Sequence, residues 1–415
     1  MVNRLRQLEQ AALAEGREWT RRRLEEQLQD HSDTLLAVCP KTGKGLKDVR
    51  WRELRLITVS GVIKLRVRHG YSPTLGQWVC PARQAWGLQP YQRVSPELES
   101  RLAYTASETT SYEAAARMAA RWGSPVSDGC IHQHMQSLGQ AAEQIELPHP
   151  VIARQEPEFS LVIMLDGWLA RERGPDWGAG PRKKEPQRIL WHEVKSAVIY
   201  RLERRVANDS GRGMLIEKFV VATPPETSPV DFGTAVQAEA RRRGMGRAKY
   251  VYLVMDGAIW LWELAEDRFA QAIKTLDFHH ARDHLWAVAN SLHGEATPEA
   301  RAWVQPLLRG LRKGRENYVV RQLEELLENQ SGRTPESQEL IEREVKFFVK
   351  HRDHLHYRAM EKVGAPRGSG AVESLGKQLQ QRLRGCGQIW GRPGFTRLLR
   401  VVVLVKNQDD HHLWN

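Results

Sequence analysis

The sequence predicts an α/β protein: a mixed sheet carrying an all-helical insertion, preceded by a small β-hairpin region and a helix-turn-helix. Three observations carry that prediction. Two apolar, strand-forming runs each end on Asp-Gly, LVIMLDG at Asp166 and KYVYLVMDG at Asp256. Strand and helix patterns alternate between and after them. A long charged helical stretch follows Ala281, far too long for a loop inside a compact domain. An ionised carboxylate leaves water only when it is paired, hydrogen-bonded or metal-bound, so two strands ending this way suggest one shared site.

Global properties bound the function. A chain of 415 residues has room for roughly three domains. Its apolar fraction of 41% supports real cores, and its charged fraction of 27% is ordinary for a soluble protein. No run approaches bilayer length, and MVNRLRQLEQAALAEGREW lacks the apolar centre of a signal peptide. A cytoplasmic, nucleoid-associated location with no membrane partner is therefore expected. Cys39, Cys80, Cys130 and Cys386 are too scattered for a disulfide framework. The net charge of +12 and pI near 9.6 favour a polyanionic partner, nucleic acid first, although charge alone also fits a merely soluble basic protein.

Residues 1–94 read as one polar helix to about residue 35, then a β-hairpin in ELRLITVSGVIKLRVRHGYSP broken at Ser60-Gly61. Cys39 and Cys80 flank the hairpin as in a degenerate zinc ribbon. Thr42 and Arg83 stand where second thiolates belong, so a tetrahedral zinc site is not satisfied and zinc is not expected. Residues 95–155 predict a helix through Ala114–Arg121 capped by Thr110 or Ser111, a WGSPVS turn, and a second helix started by Ser127 or Asp128. Read as a helix-turn-helix, this pair would turn His132, Gln133 and Gln136 toward a major groove; read plainly, it is a helical hairpin. Residues 156–283 give the order β-β-β-α-β-α-β, which matches a ribonuclease H-like core. Residues 284–364 form the helical insertion. Residues 365–415 hold a Gly-rich turn, GAPRGSG, and a helix whose Val372, Leu375, Leu379 and Leu383 share one face beside Glu373.

Glu373 completes a chemical pattern. Neighbouring strand ends bring Asp166 and Asp256 within reach of a common ion, and a helix packed across the sheet adds a third oxygen ligand near its first turn. Three carboxylates without a thiolate suit a hard cation, Mg²⁺ or Mn²⁺. Two such ions would serve phosphoryl transfer, with Gly167 and Gly257 leaving room for a phosphodiester and Gly368 and Gly370 permitting the turn. Each motif alone has a dull reading: a turn after a strand, or a helix-start carboxylate favoured by the dipole.

MLDG, HEVKSAVIY, VMDGAIWLWELAEDRF with TLDFHHARDHLW, and GSGAVESLGKQLQQRLRGCGQIW together resemble the DDE transposases of bacterial insertion sequences, most closely the ISKra-type group. The resemblance covers roughly residues 160–395. It implies a ribonuclease H-like catalytic domain with Asp166, Asp256 and Glu373 as catalytic metal ligands. It also implies hydrolysis of a phosphodiester at the element's end and strand transfer of the freed 3′-hydroxyl into target DNA. The implied partners are double-stranded DNA, as terminal inverted repeats and target, and at least one further copy of the chain, since two ends must be held together. The alternatives are a non-catalytic DNA-binding derivative and a related nuclease or resolvase.

Supporting residues are weaker. Lys183, Lys184 and Lys195 in the basic stretch 182–205, Arg242, and Lys377 and Arg384 on the last predicted helix are candidates for contacting DNA. His192, His280 and His284 are candidates for supporting the carboxylates. HHARDH lacks the glutamate that follows the first His in zinc hydrolases, which argues against zinc there. Trp260, Trp262 and Trp286 read as core anchors.

Overall fold

A computed structural model describes residues 3–148, 157–178, 187–207, 213–329 and 332–414. The chain forms two units, Met1–Ile145 with Gln408–Asn415, and Glu146–Asn407.

In the first unit, Asn3 caps α1 (Arg4–Thr34) by accepting the Arg6 N–H. A two-residue turn joins β1 (Lys47–Thr58) to β2 (Gly61–Ser72), with Gly61 at φ +117°, a backbone angle that glycine alone adopts freely. Short β3 (Gln77–Val79) adds a third antiparallel strand, and α2 (Pro81–Ala85) follows. Leu54, Leu56, Ile63, Leu65 and Val67 alternate inward against Leu24 and Leu28 of α1. Cys39 and Cys80 are buried free thiols. Then come α3 (Pro96–Glu108), α4 (Tyr112–Arg121) and α5 (Asp128–Ala141), capped by Ser95, Ser111 and Ser127. Of the two caps offered by the sequence at each helix of the predicted pair, the serine is used. Glu99 of α3 takes both the His134 ring and the Trp414 indole, at 3.0 Å for the latter, and so ties α5 and the chain's last turn to α3.

The second unit is built on five strands. Its elements in order are β4 (Leu161–Arg173), β5 (Ile189–Arg201), the small pair β6 (Arg205–Ala207) and β7 (Gly213–Leu215), β8 (Phe219–Thr223), α6 (Pro229–Arg242), β9 (Val251–Met255), α7 (Ile259–Arg268) and β10 (Ile273–Leu276). The sheet order is β10-β9-β4-β5-β8, with β4, β9 and β10 parallel and β5 antiparallel to both neighbours. Buried Leu161, Ile163 and Leu165 pack on one face with α6 and α7. α8 (Phe278–His293), α9 (Pro298–Arg312), α10 (Glu316–Glu328), α11 (Pro335–Lys350) and α12 (Tyr357–Lys362) extend that same apolar core, so the helical insertion shares the sheet's core. α13 (Gly370–Leu383) and α14 (Arg392–Asn407) pack on the other face, where Trp168 meets Phe395 at 6.4 Å. The Asn407 amide extends the β8 edge, accepting the Val220 N–H at 2.7 Å and donating to its carbonyl at 2.9 Å.

One expectation is corrected. Asp166 does not end its strand: β4 stays paired with β5 through Arg173↔Ile189, and only the β9 ladder stops, at Leu165↔Met255. The residues after Asp166 alternate in burial as a strand does, which the Asp-Gly step disguised.

Candidate active site

The parallel register sets the first two carboxylates side by side. Leu165 pairs with Met255, so Asp166 and Asp256 leave neighbouring strands at the same level, where adjacent strands run about 4.8 Å apart. Beyond that level β9 turns away while β4 continues. The carboxylates therefore sit where one edge of β4 is first uncovered. Asp166 accepts the Gly167 N–H at 2.8 Å, and Asp256 accepts the Ala258 N–H at 2.8 Å. The Asp256 carbonyl takes the Trp262 indole at 2.8 Å, which anchors the turn to α7.

Glu373 arrives from the opposite side. The face of α13 formed by Val372, Leu375, Leu379 and Leu383 is buried, as the stripe predicts. Trp168 packs beside Gly376, where a Cβ would lie at ordinary contact distance, 3.8 Å, from the ring. This packing leaves half-buried Glu373 in the first turn of α13, accepting the Ser369 hydroxyl at 2.9 Å. The charges of Asp256 and Glu373 both reach Asp166. Burial raises Asp166 to a pKa of about 6, the charges of Asp256 and Glu373 add to that rise, and the Gly167 N–H and His280 oppose it. No three His, Cys, Asp or Glu side chains among the described residues stand close enough to hold a metal ion as they are. The donor set is nevertheless all oxygen, negatively charged and half-desolvated, which is the chemistry that suits Mg²⁺ or Mn²⁺.

Sequence reading missed the residue that joins these parts. Asp277, fully buried, caps α8 by accepting the His279 and His280 N–H groups at 2.5 and 3.0 Å. Its other oxygen takes the Ser369 N–H, at the turn into α13. Its own N–H donates to the Met255 carbonyl at 2.8 Å, and the next N–H, of Phe278, donates to Arg367 at 2.9 Å. One residue thus ties the end of β9 through its backbone, and the start of α8 and the turn that delivers Glu373 through its carboxylate. The signal was present as an Asp preceding a helical pattern in TLDFHHARDHL, a helix-start residue of the preferred type. Its contact with Ser369 spans 92 residues and had no local trace.

The remaining candidates separate. His280 follows Asp277 and reaches Asp166 electrostatically. His284 is held by the buried Glu344 of α11 and stacks on Phe347 at 3.9 Å, so it joins α8 to the insertion. His192 lies on the Asp166 face of β5, four residues before Ser196, the Asp166 pairing partner, and sits 3.7 Å from buried Glu172. Lys195 is buried on the opposite face; its ammonium donates to the Thr227 carbonyl at 3.1 Å and lies over Trp260. Arg242 is likewise buried and paired with Glu239 at 2.8 Å. Neither presents a charge to solvent. Lys377 is exposed one turn after Glu373, and Arg384, half-buried, donates to the Leu169 carbonyl at 3.3 Å and stacks on Trp191. His132 and Gln133 are exposed on α5 and Gln136 is half-buried. Lys183 and Lys184 lie outside the described residues.

The glycines serve packing. A Cβ at Gly167 would fall 2.3 Å from Glu193 Oε1, and one at Gly257 would fall 2.3 Å from the Phe347 ring. The space expected for a phosphodiester at these two positions is taken by side chains.

A family profile described as "Uncharacterised protein family (UPF0236)" matches residues 5–412. No curated protein matches the chain. Among solved structures, the "Drosophila P element transposase strand transfer complex" is similar at 10% sequence identity and a TM-score of 0.36, over 75% of this chain and 92% of that one. Among the described residues no helix is long and apolar enough to cross a membrane.

Proposed function

For a chain that belongs to the uncharacterised protein family UPF0236, we propose a DNA transposase of the DDE type, acting through Asp166, Asp256 and Glu373. The observation that carries this reading is the placement of the three carboxylates around Asp166, although they do not stand close enough to hold an ion as they are. Two come from adjacent parallel strands in register, the third comes from a helix packed across the sheet, and the charges of Asp256 and Glu373 are felt at Asp166. The strand arrangement supports a ribonuclease H-like core. Counting the five sheet strands in chain order, they lie third, second, first, fourth, fifth, and only the second runs against the rest.

Asp166, Asp256 and Glu373 would hold the divalent ions. Bound there, such ions supply activation of an attacking oxygen and stabilisation of the leaving one. The protein's own part is positional. β4 and β9 fix two carboxylates at one level, and Asp277 holds the turn that brings the third. Water attacks the phosphodiester at the element's end, and the freed 3′-hydroxyl attacks target DNA, so no protein nucleophile is required. The α4–α5 pair, with His132 and Gln133 exposed, is the proposed helix-turn-helix, and at least two copies would hold the two ends.

The test uses labelled element-end DNA with Mg²⁺ or Mn²⁺, comparing wild type with Asp256→Asn. Wild type should nick the end and join it to target, and the variant should do neither. Equal activity in both would remove the carboxylates from the chemistry. Cutting without joining would point to a nuclease, and duplex binding without either step to a non-catalytic DNA-binding protein.

A further inference from the structure

The hairpin of the first unit gathers unpaired arginines on one face. On the helices of that unit several arginines pair one helical turn away: Arg21 and Arg22 with Glu18, Arg23 with Glu26, Arg101 with Glu97, Arg117 with Glu113. On the outer face of β1 and β2, Arg55 and Arg66 are exposed and have no ion pair or side-chain hydrogen bond among the described residues. Beside them Trp51 is 43% exposed, with the guanidinium carbons of Arg66 and Arg68 lying 5.5 and 4.9 Å from its ring centre.

The register explains this group. Trp51 stands opposite Arg68 and Arg55 opposite Lys64, on the face turned away from the Leu54, Leu56, Ile63 and Leu65 core. A guanidinium stacked on an indole keeps its N–H groups free at the edge, and the ring limits the rotamers that must be lost when those groups bind. Arg68 spends one N–H on the Leu35 carbonyl and is fixed in place. Glu53 interrupts the positive face, and Glu25, Glu26 and Asp30 of α1 surround Lys64, so the cationic centre is Trp51, Arg55, Arg66 and Arg68. Charges on an edge strand also discourage strand-to-strand aggregation. That purpose does not ask for an exposed tryptophan holding two arginines.

We propose that this hairpin face binds the phosphate backbone of duplex DNA, independently of sequence; the inference names a second DNA-contacting surface and rests on the reading of the chain as a DNA-acting protein. A two-stranded ribbon is of a size that the major groove admits, and stacked guanidinium edges match phosphate oxygens bidentately.

The test measures affinity of the full-length chain in EDTA for a short duplex of arbitrary sequence, across roughly 50–200 mM salt. Arg55→Gln/Arg66→Gln should lower the slope of log affinity against log salt by about 2, since each phosphate contact contributes about 0.9. Arg55→Lys/Arg66→Lys should keep most of the slope. An unchanged melting temperature for both variants shows that folding is not the cause. A slope unchanged by the glutamine pair overturns the proposal, as does loss of binding to phosphatidylserine vesicles with duplex binding intact. Hairpin-dependent duplex binding with no end cleavage would sink the catalytic reading and keep this one; a wild-type chain that binds no duplex would sink both.

Discussion

Asp166 shows how a single side chain registers its surroundings. Burial, with Asp256 and Glu373 adding to it, lifts its pKa from 3.8 to about 6. A carboxyl group whose folded pKa is raised favours the folded state at low pH, and that contribution is lost as pH climbs from about 4 through about 6. At pH 8 the charged Asp166 therefore costs about 1–3 kcal/mol. Asp166→Asn should melt higher than wild type at pH 8 and lose that advantage below pH 4, as read by thermal denaturation. Mg²⁺ or Mn²⁺ should raise the wild-type melting temperature at pH 8 and leave the variant's unmoved. Asp277 makes the contrasting case. It is more deeply buried, yet its oxygens are taken up by three backbone N–H groups, and hydrogen bonds of that kind are what make a buried carboxylate tolerable.

Between elements, the contact that sets the site's roof is Phe347 of α11 against Gly257. The Asp256-Gly257 turn has Trp262 on one side, with His351 and His354 ring centres 4.5 and 4.4 Å from it, and Phe347 on another. Gly257→Ala should destabilise by about 1–3 kcal/mol through overpacking. Combining it with Phe347→Leu should recover part of the loss, giving a coupling of about 0.5–3 kcal/mol in a double-mutant cycle from chemical denaturation. Strict additivity would mean that the insertion does not press on this turn. The helix α13 was legible from its stripe and its Gly-rich start. α14 was not anticipated as an element, because RPGFTRLLRVVVLVKN reads equally as a buried strand or a helix until the β8 edge and Phe395 give it a partner.

For the whole molecule, the two units respond to pH in different windows. In the first unit burial works against charging His134, but its hydrogen bonds with Cys130 and Glu99, the latter accepting from the ring, prevail and raise its pKa to about 9. A histidine so raised stabilises fully below about 6.5 and loses that contribution as pH passes through 9. Between pH 7 and 9.5, amide exchange corrected for its intrinsic rate should quicken in α3 and α5, while β4 and β9 keep their protection. Glu99→Gln should abolish the dependence. Exchange that quickened equally in both units would mean that they unfold together.

Much was decided by local pattern: the strand and helix order, the serine caps, the hairpin turn, the three acidic positions and the basic balance all follow from periodicity and residue type within a few neighbours. The relations between those positions belong to the tertiary structure. Pairing register alone put Asp166 beside Asp256 and carried β4 on to Arg173. Packing alone turned Lys195 and Arg242 inward, filled the space beside Gly257 with Phe347, and made Asp277 the joint on which Glu373 is hung. Local sequence sets which conformations are cheap; contacts between distant segments choose among them, because only those contacts remove side chains from water.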